Sequence, residues 1–405
     1  MSFPQVTPLT VTHTLTDVDS GLHTEAWTLD SRALATDSDI PWSVAKQTLK
    51  GGMQEGVECV DVDNGALSFR ILPTRGMGLL RGQYGDVRLG WDSPVKDPVH
   101  PAFVDLKDRG GLGWLRGFNE WICRCGMESN GSPGPDVIVD NNGNEAEVLL
   151  TVHGKLANTP ARTLSVQVST QDPVTISVTG VVDETMMFGP ALRLTSTLST
   201  EAGSNMLTIR DRVTNMKREP AEFQLLYHCN YGVPLLERGS KLLAPFKLVA
   251  PRDATAVGGV DGFDRFGRPQ PGFVEQVYFY ELVGKRGSGE TVVLLRNAKG
   301  DAGSSLRFSL KSMPCFTLWK NTAAKEDGYV TGLEPATNYP NARRFERDQG
   351  RVPVLQGGES WETELRVAVH DSRKQVRAVE AEINGLQMAA RATVATAPLG
   401  KLSPV

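Results

Sequence analysis

Two short segments place residues able to serve a ligand on strand-like stretches of the chain. In Leu225–Pro234 (LLYHCNYGVP), the period-two alternation of an extended strand puts His228 and Asn230 on the same side of an otherwise apolar run. In Asp327–Pro340 (DGYVTGLEPATNYP), a strand ends at Glu334. Pro335 removes a backbone donor there and keeps the preceding residue extended, which turns the carboxylate toward the rim or cleft of a sheet. A third segment, Val152–Asn158 (VHGKLAN), runs an apolar strand out into His153. Taken singly, each histidine is more often a satisfied core or surface residue, and Glu334 an ordinary strand end.

The stretch between Trp114 and Gly131 (WLRGFNEWICRCGMESNG) crowds indole rings with Asn119, Arg124 and carboxylates. That mixture suits a sugar, whose apolar C–H faces stack on aromatic rings and whose hydroxyls pair with amide, guanidinium and carboxylate groups. The competing reading is a loop pinned to a sheet by buried tryptophans. Gly110–Gly117 (GGLGWLRG) lacks both the dinucleotide fingerprint spacing and a surrounding βαβ pattern, so a nucleotide site is rejected. Cys123 and Cys125 could be half of a metal site, yet no second Cys or His pair stands at ligand spacing nearby, and no metal or other cofactor is expected.

The elements that must position these residues read as β. Segments 163–169, 174–178, 206–213, 305–311 and 363–369 alternate apolar with polar residues, the signature of a half-buried sheet face. Segments 148–152 and 291–295 are continuously apolar and suit the interior between two sheets. The 41 glycines and 24 prolines punctuate the intervals as a many-turned antiparallel sandwich requires. One helix is predicted over 373–390, where Val376, Val379, Ile383 and Leu386 recur at helical spacing. The expected organisation is a single all-β domain over 1–405, with N-terminal strands in 1–100, a loop-rich binding segment in 101–140, a core sandwich in 141–371 and the helix and tail in 372–405. The passage 105–136 reads as its main irregular insertion.

Charge and composition narrow the partners. A net charge of −4 argues against a nucleic-acid surface or a polybasic membrane footprint, and no apolar run approaches the length of a membrane span. The N-terminus has neither the basic flank nor the apolar stretch of a signal peptide, and the five cysteines are an odd number in a large chain, so a cytoplasmic protein with reduced thiols is expected. A small-molecule sugar is the expected partner. The composition leaves a homodimer open.

At these motifs the chain resembles the aldose 1-epimerase (galactose mutarotase-like) superfamily, and within it a branch of uncharacterised bacterial aldose-epimerase-like proteins. The most specific marks are Tyr227–Gly232 (YHCNYG) and Gly332–Pro335 (GLEP). Leu72–Gly78, Arg124–Gly131 and His153–Pro160 resemble the branch's Arg-Gly, Cys-Gly and His-Gly segments. The resemblance implies a β-supersandwich with a metal-free site in an open groove, and anomer interconversion with Glu334 as base and His228 as acid. It further implies substrate contacts from His153, Arg75, Asn119, Arg124 and Asn230, and from an acidic residue between the two main motifs, for which Glu275 and Asp264 compete. Galactose mutarotases carry their upstream histidine in a His-Gly-Gly segment, whereas here Lys155 follows His153 and Gly154. Two rival functions are a sugar-binding or sensor protein without turnover, and an epimerase-isomerase that uses the same pair at a carbon beside a carbonyl.

Overall fold

The computed structural model describes residues 9–404. Two large sheets dominate it, one of ten strands and one of thirteen. Among the described residues the strands pair antiparallel, apart from a short parallel contact between Phe246–Pro251 and Thr393–Val394 and an isolated parallel bridge between Gly126 and Gly154. The alternating segments form the ten-stranded sheet, whose long strands Thr175–Thr185, Ala191–Glu201, Met206–Asn215 and Ser360–His370 lie side by side. Their apolar positions, among them Val178, Leu194, Ile209 and Leu365, meet Val60, Ile71, Leu79, Leu318 and Leu333 of the thirteen-stranded sheet in one core. This is the expected all-β sandwich: period-two patterning leaves one apolar face per strand, and two such faces close on each other.

The helix forms over Arg373–Gln387, with the Ser372 hydroxyl accepting from the Gln375 amide at its start. Val376, Val379 and Ile383 pack on Val292 and Leu294, the outward-facing residues of Glu290–Arg296, while Val293 and Leu295 face the central core. That strand is continuously apolar because a helix covers its outer face.

Two expectations need correction. Segment 148–152 does not lie between sheets. Glu145–Leu150 pairs only with Gly134–Val139 in a separate hairpin, and Leu149 is half exposed. The passage 105–136 is not wholly an insertion, since Ile122–Met127 is a fully buried strand near the middle of the thirteen-stranded sheet. Its apolar pattern is broken by Arg124, which points into the inter-sheet core and pairs with the buried Asp211 of the opposite sheet. Among the described residues no helix is long and apolar enough to cross a membrane.

Candidate functional site

The site lies on the face of the thirteen-stranded sheet that looks away from the inter-sheet core. In Gln224–Tyr231, Tyr227, Cys229 and Tyr231 point into the core, so alternation sends His228 and Asn230 to the other face. Gln224–Tyr231 and Val330–Ala336 are antiparallel neighbours, with Leu226 opposite Ala336 and Cys229 opposite Leu333. That register sets His228 directly across from Glu334, and His228 Nε2 lies 3.2 Å from Glu334 Oε1. Gly332 makes the close approach possible: a Cβ there would stand 2.7 Å from Glu334 Oε1 and 2.9 Å from His228 Cε1.

Aromatic rings wall the pair. Phe118, Trp319 and Trp114 lie 5.0, 5.3 and 6.3 Å from the His228 ring, and His153 meets it edge-on at 5.4 Å. His153 is held from two sides, by the Trp114 ring at 4.6 Å and by the Asn130 carbonyl at 2.8 Å from Nδ1. Its backbone takes the left-handed conformation, φ 59°, and Gly154 follows at φ 68° with the Ser129 carbonyl where a Cβ would sit. A bulky residue at positive φ is strained, and such strain collects at ligand sites. At the rim, Glu275 accepts from Trp319 Nε1 at 2.7 Å and from Arg252 at 3.0 Å; Arg252 also pairs with Asp253 at 2.9 Å. Glu275 and His153 are partly exposed, whereas His228 and Glu334 keep only a few per cent of their surface open.

Burial sets the protonation of the pair. It drives His228 down to about 3, with nearby His153 adding to the shift, and it pushes Glu334 well above the usual carboxylate range, helped by the charge on Glu275 and opposed by Arg252. Burial likewise lowers His153, against the hydrogen bond to Asn130. All three groups are therefore held neutral. Glu334 Oε1 is buried with no hydrogen-bond partner, as are Thr317 Oγ1 and Trp114 Nε1, so the 3.2 Å approach of His228 is close without being a formed hydrogen bond. Unpartnered buried polar atoms are rare. Glu334 and Thr317 stand opposite each other on neighbouring strands, so a polar ligand there would complete both.

The structure thus brings His228, Glu334, His153, Asn230 and Glu275 together, and puts four other sequence candidates to different use. Arg75 spends its guanidinium on Glu120, Asn158 and the carbonyls of Val99 and Gly117, pinning loops beneath the surface. Arg124 binds Asp211, Ser196 and the Met77 carbonyl between the sheets. Both guanidiniums are buried and turned to acceptors within the protein. Asn119 donates its amide to the carbonyls of Val95 and Asp97. Asp264 pairs with Lys241 at 3.1 Å, and its carbonyl accepts from Leu242 on an edge strand of the ten-stranded sheet, so of the two acidic rivals only Glu275 reaches the site. Sequence reasoning missed Arg252, Thr317 and Trp319. The alternation of Cys315–Asn321 puts Thr317 and Trp319 on one face, but which face depends on pairing with the glutamate strand. Cys123 and Cys125 are buried thiols pushed up by burial, and no group of three His, Cys, Asp or Glu suited to a metal occurs among the described residues.

Comparison with known proteins places this geometry in a family. Residues 54–369 match the family described as Domain of unknown function (DUF4432). The chain belongs to this family. A crystal structure from Klebsiella pneumoniae subsp. pneumoniae, described as a "putative aldose 1-epimerase", is similar over 96% of this chain and 99% of that one, with 34% identity and a TM-score of 0.90. A protein of Escherichia coli K12 with the same description, at 14% identity and TM-score 0.53, covers 78% of this chain and 99% of its own. The galactose 1-epimerase of Lactobacillus acidophilus, at 13% and 0.51, covers 81% and 99%. These two distant structures share the fold, and this chain is built on the galactose mutarotase-like sandwich. No curated protein matches the chain.

Proposed function

We propose that this DUF4432 protein is an aldose 1-epimerase that interconverts the α and β anomers of a free sugar by proton transfer between the substrate, His228 and Glu334. The observation that carries the reading is the His228–Glu334 pair on adjacent strands, walled by aromatic rings, with His228 Nε2 3.2 Å from a carboxyl oxygen that has no hydrogen-bond partner. Ring opening needs one group to take the proton of the anomeric hydroxyl and another to protonate the ring oxygen as the C1–O5 bond breaks. Rotation about C1–C2 and reversal of both transfers close the other anomer. A histidine and a carboxyl group within reach of one hemiacetal meet that need, and each positioned proton transfer contributes roughly 10²–10⁴-fold.

Substrate contacts follow from the same geometry. Trp319, only partly buried, offers ring surface to the sugar's C–H faces, and the buried Trp114 backs His153 and His228. His153 Nδ1 can only donate to the Asn130 carbonyl, so its neutral Nε2 is an acceptor for a substrate hydroxyl. The exposed part of Glu275, steadied by Arg252 and Trp319, accepts another. The test is anomer exchange measured by polarimetry across a panel of free aldoses. Acceleration with at least one supports the reading. Binding by calorimetry without acceleration would replace it with a sugar-binding role, and incorporation of solvent deuterium at a carbon would replace it with isomerisation, because mutarotation exchanges only oxygen-bound protons.

A further inference from the structure

The strands that carry the rim of the sugar site line a second cavity on their other face. Gln276–Leu282 and Cys315–Asn321 pair with Gln276 opposite Lys320 and Val277 opposite Trp319. Val277 packs with Cys315 and Trp319 on the outer face, where Glu275 accepts from the Trp319 indole, while Tyr278, Tyr280, Phe316 and Leu318 face the inter-sheet core. Alternation therefore sends Gln276 and Lys320 to the inter-sheet side, away from the sugar. At that end lies a cavity of about 490 Å³, whose wall includes Arg238, Arg268, Lys320, Gln270, Gln276 and Thr322.

Separate stretches of chain bring the cations together. Arg238 comes from the turn after Leu236, and Arg268 from the loop that precedes Gln276–Leu282. Backbone hydrogen bonds tie the two segments, from the Gly239 amide to the Phe266 carbonyl and from the Phe266 amide to the Ser240 carbonyl. Lys320 comes from the strand itself. Its Nζ donates to the carbonyls of Gly262 and Arg265 at 2.9 and 2.8 Å and lies 5.3 Å from the Phe266 ring.

The charge of this wall is one-sided. Lys320 is only 5% exposed, and a lysine is almost never buried without a paired charge. Its partners here are carbonyl dipoles, and burial lowers it to about 8 against the pull of Asp264, whose carboxylate is committed to Lys241 at 3.1 Å. Glu237, next to Arg238, turns its carboxylate to the Ala298 amide at 3.2 Å. Among the described residues no Asp or Glu lines the cavity, so at neutral pH its wall holds three positive charges and no negative one. Converging like charges repel, and a partly buried wall concentrates their field on whatever anion enters.

We infer that this cavity binds the phosphate group of a small phosphorylated metabolite. Two guanidiniums and an ammonium exceed what a single carboxylate can neutralise, whereas a phosphate monoester brings about two negative charges and three strong acceptor oxygens. The guanidiniums of Arg238 and Arg268 supply fork-shaped donors for those oxygens and Lys320 a point charge. Gln270, Gln276 and Thr322 offer amide and hydroxyl groups to the rest of the molecule. The volume falls in the range of small-molecule sites rather than that of a bare ion. The cavity shares no residue with the His228–Glu334 site and would hold its ligand whether or not the protein exchanges anomers.

Isothermal titration calorimetry of the full chain with inorganic phosphate, a hexose 6-phosphate and acetate tests the assignment, alongside Arg238→Gln, Arg268→Gln and the double variant. Both arginines are exposed, so the variants should fold, which circular dichroism checks. The expected result is saturable binding of both phosphates to the wild type, with the hexose 6-phosphate at least as tight as inorganic phosphate. Each single variant should weaken both by about 10-fold or more, as loss of a charge-assisted hydrogen bond does, and the double variant should abolish binding of inorganic phosphate. Absence of saturable phosphate binding to the wild type would overturn the inference, as would acetate binding as tightly as phosphate. Inorganic phosphate binding more tightly than the hexose 6-phosphate would overturn the metabolite-sized occupant. Phosphate binding unaltered in the folded double variant would place the anion elsewhere and overturn the site.

Discussion

Gly332→Ala is the sharpest perturbation the geometry offers, because the added methyl enters the space between the two groups on which the mechanism depends. A Cβ at this position would lie 2.7 Å from Glu334 Oε1, 2.9 Å from His228 Cε1 and 3.2 Å from His228 Nδ1. Carbon contacts are comfortable at about 3.5–4.0 Å, so carboxyl and imidazole must each retreat by roughly 0.5–1 Å. The imidazole cannot retreat freely, since Asn230 holds Nδ1 at 2.6 Å and aromatic rings stand around it. Displacements of that size at a reacting centre cost on the order of 10²-fold in rate, equivalent to about 2.7 kcal/mol. Gly332 is not among the positive-φ glycines, so the backbone tolerates alanine, and overpacking should cost stability only about 1–3 kcal/mol. The assay is polarimetric anomer exchange on an aldose the wild type accepts, with circular dichroism to confirm folding. A folded Gly332→Ala protein with wild-type exchange would refute the reasoning, because no working acid and base could both occupy the positions described.

Further expectations follow from the same contacts. Arg124→Met should destabilise the protein by about 3–5 kcal/mol in urea unfolding, because it leaves Asp211 buried and uncompensated between the sheets, and Arg75→Met should do the same through Glu120. By contrast, Glu275→Gln should leave stability nearly unchanged while raising KM more than it lowers kcat, since Glu275 is a partly exposed rim residue. Stability should also report the buried histidine. A group whose folded pKa is depressed from 6.5 to about 3 binds its proton more readily when unfolded, so it favours folding above pH 6.5 and loses that contribution as pH falls toward 3. His228→Asn should therefore lose less stability than wild type between pH 7 and pH 5 in denaturant titrations. Glu334 acts with the opposite sign: its raised pKa stabilises below the ordinary carboxylate value and that contribution fades as pH rises, so Glu334→Gln should gain on wild type between pH 4.5 and pH 7.

The sandwich was legible because its long strands carry one apolar face each, and strands such as Met206–Asn215 alternate without interruption. Ile122–Met127 was not, because a strand buried on both faces keeps no alternation and this one carries an arginine whose partner, Asp211, is remote in sequence. The same remoteness hid the roles of Arg75 and Arg124: an arginine beside glycines and aromatics reads like a ligand group until its buried acceptors are known. His228 and Asn230 were visible as neighbours on one strand face. Their convergence with Glu334 was implied by resemblance, but the register that sets it lies in strand pairing. Arg252 and Trp319 carry no local pattern that separates them from surface or core residues. They matter through Glu275, which they orient from different strands or loops.

The central claim is that one histidine and one carboxyl group drive anomer exchange from a shared site. Magnetisation-transfer NMR on an equilibrium mixture of anomers measures that exchange without a coupled assay, for wild type, His228→Asn and Glu334→Gln side by side. The account predicts enzyme-dependent exchange in the wild type and a loss of at least about 10²-fold in each variant. Exchange that persists at the wild-type rate in both folded variants would contradict it.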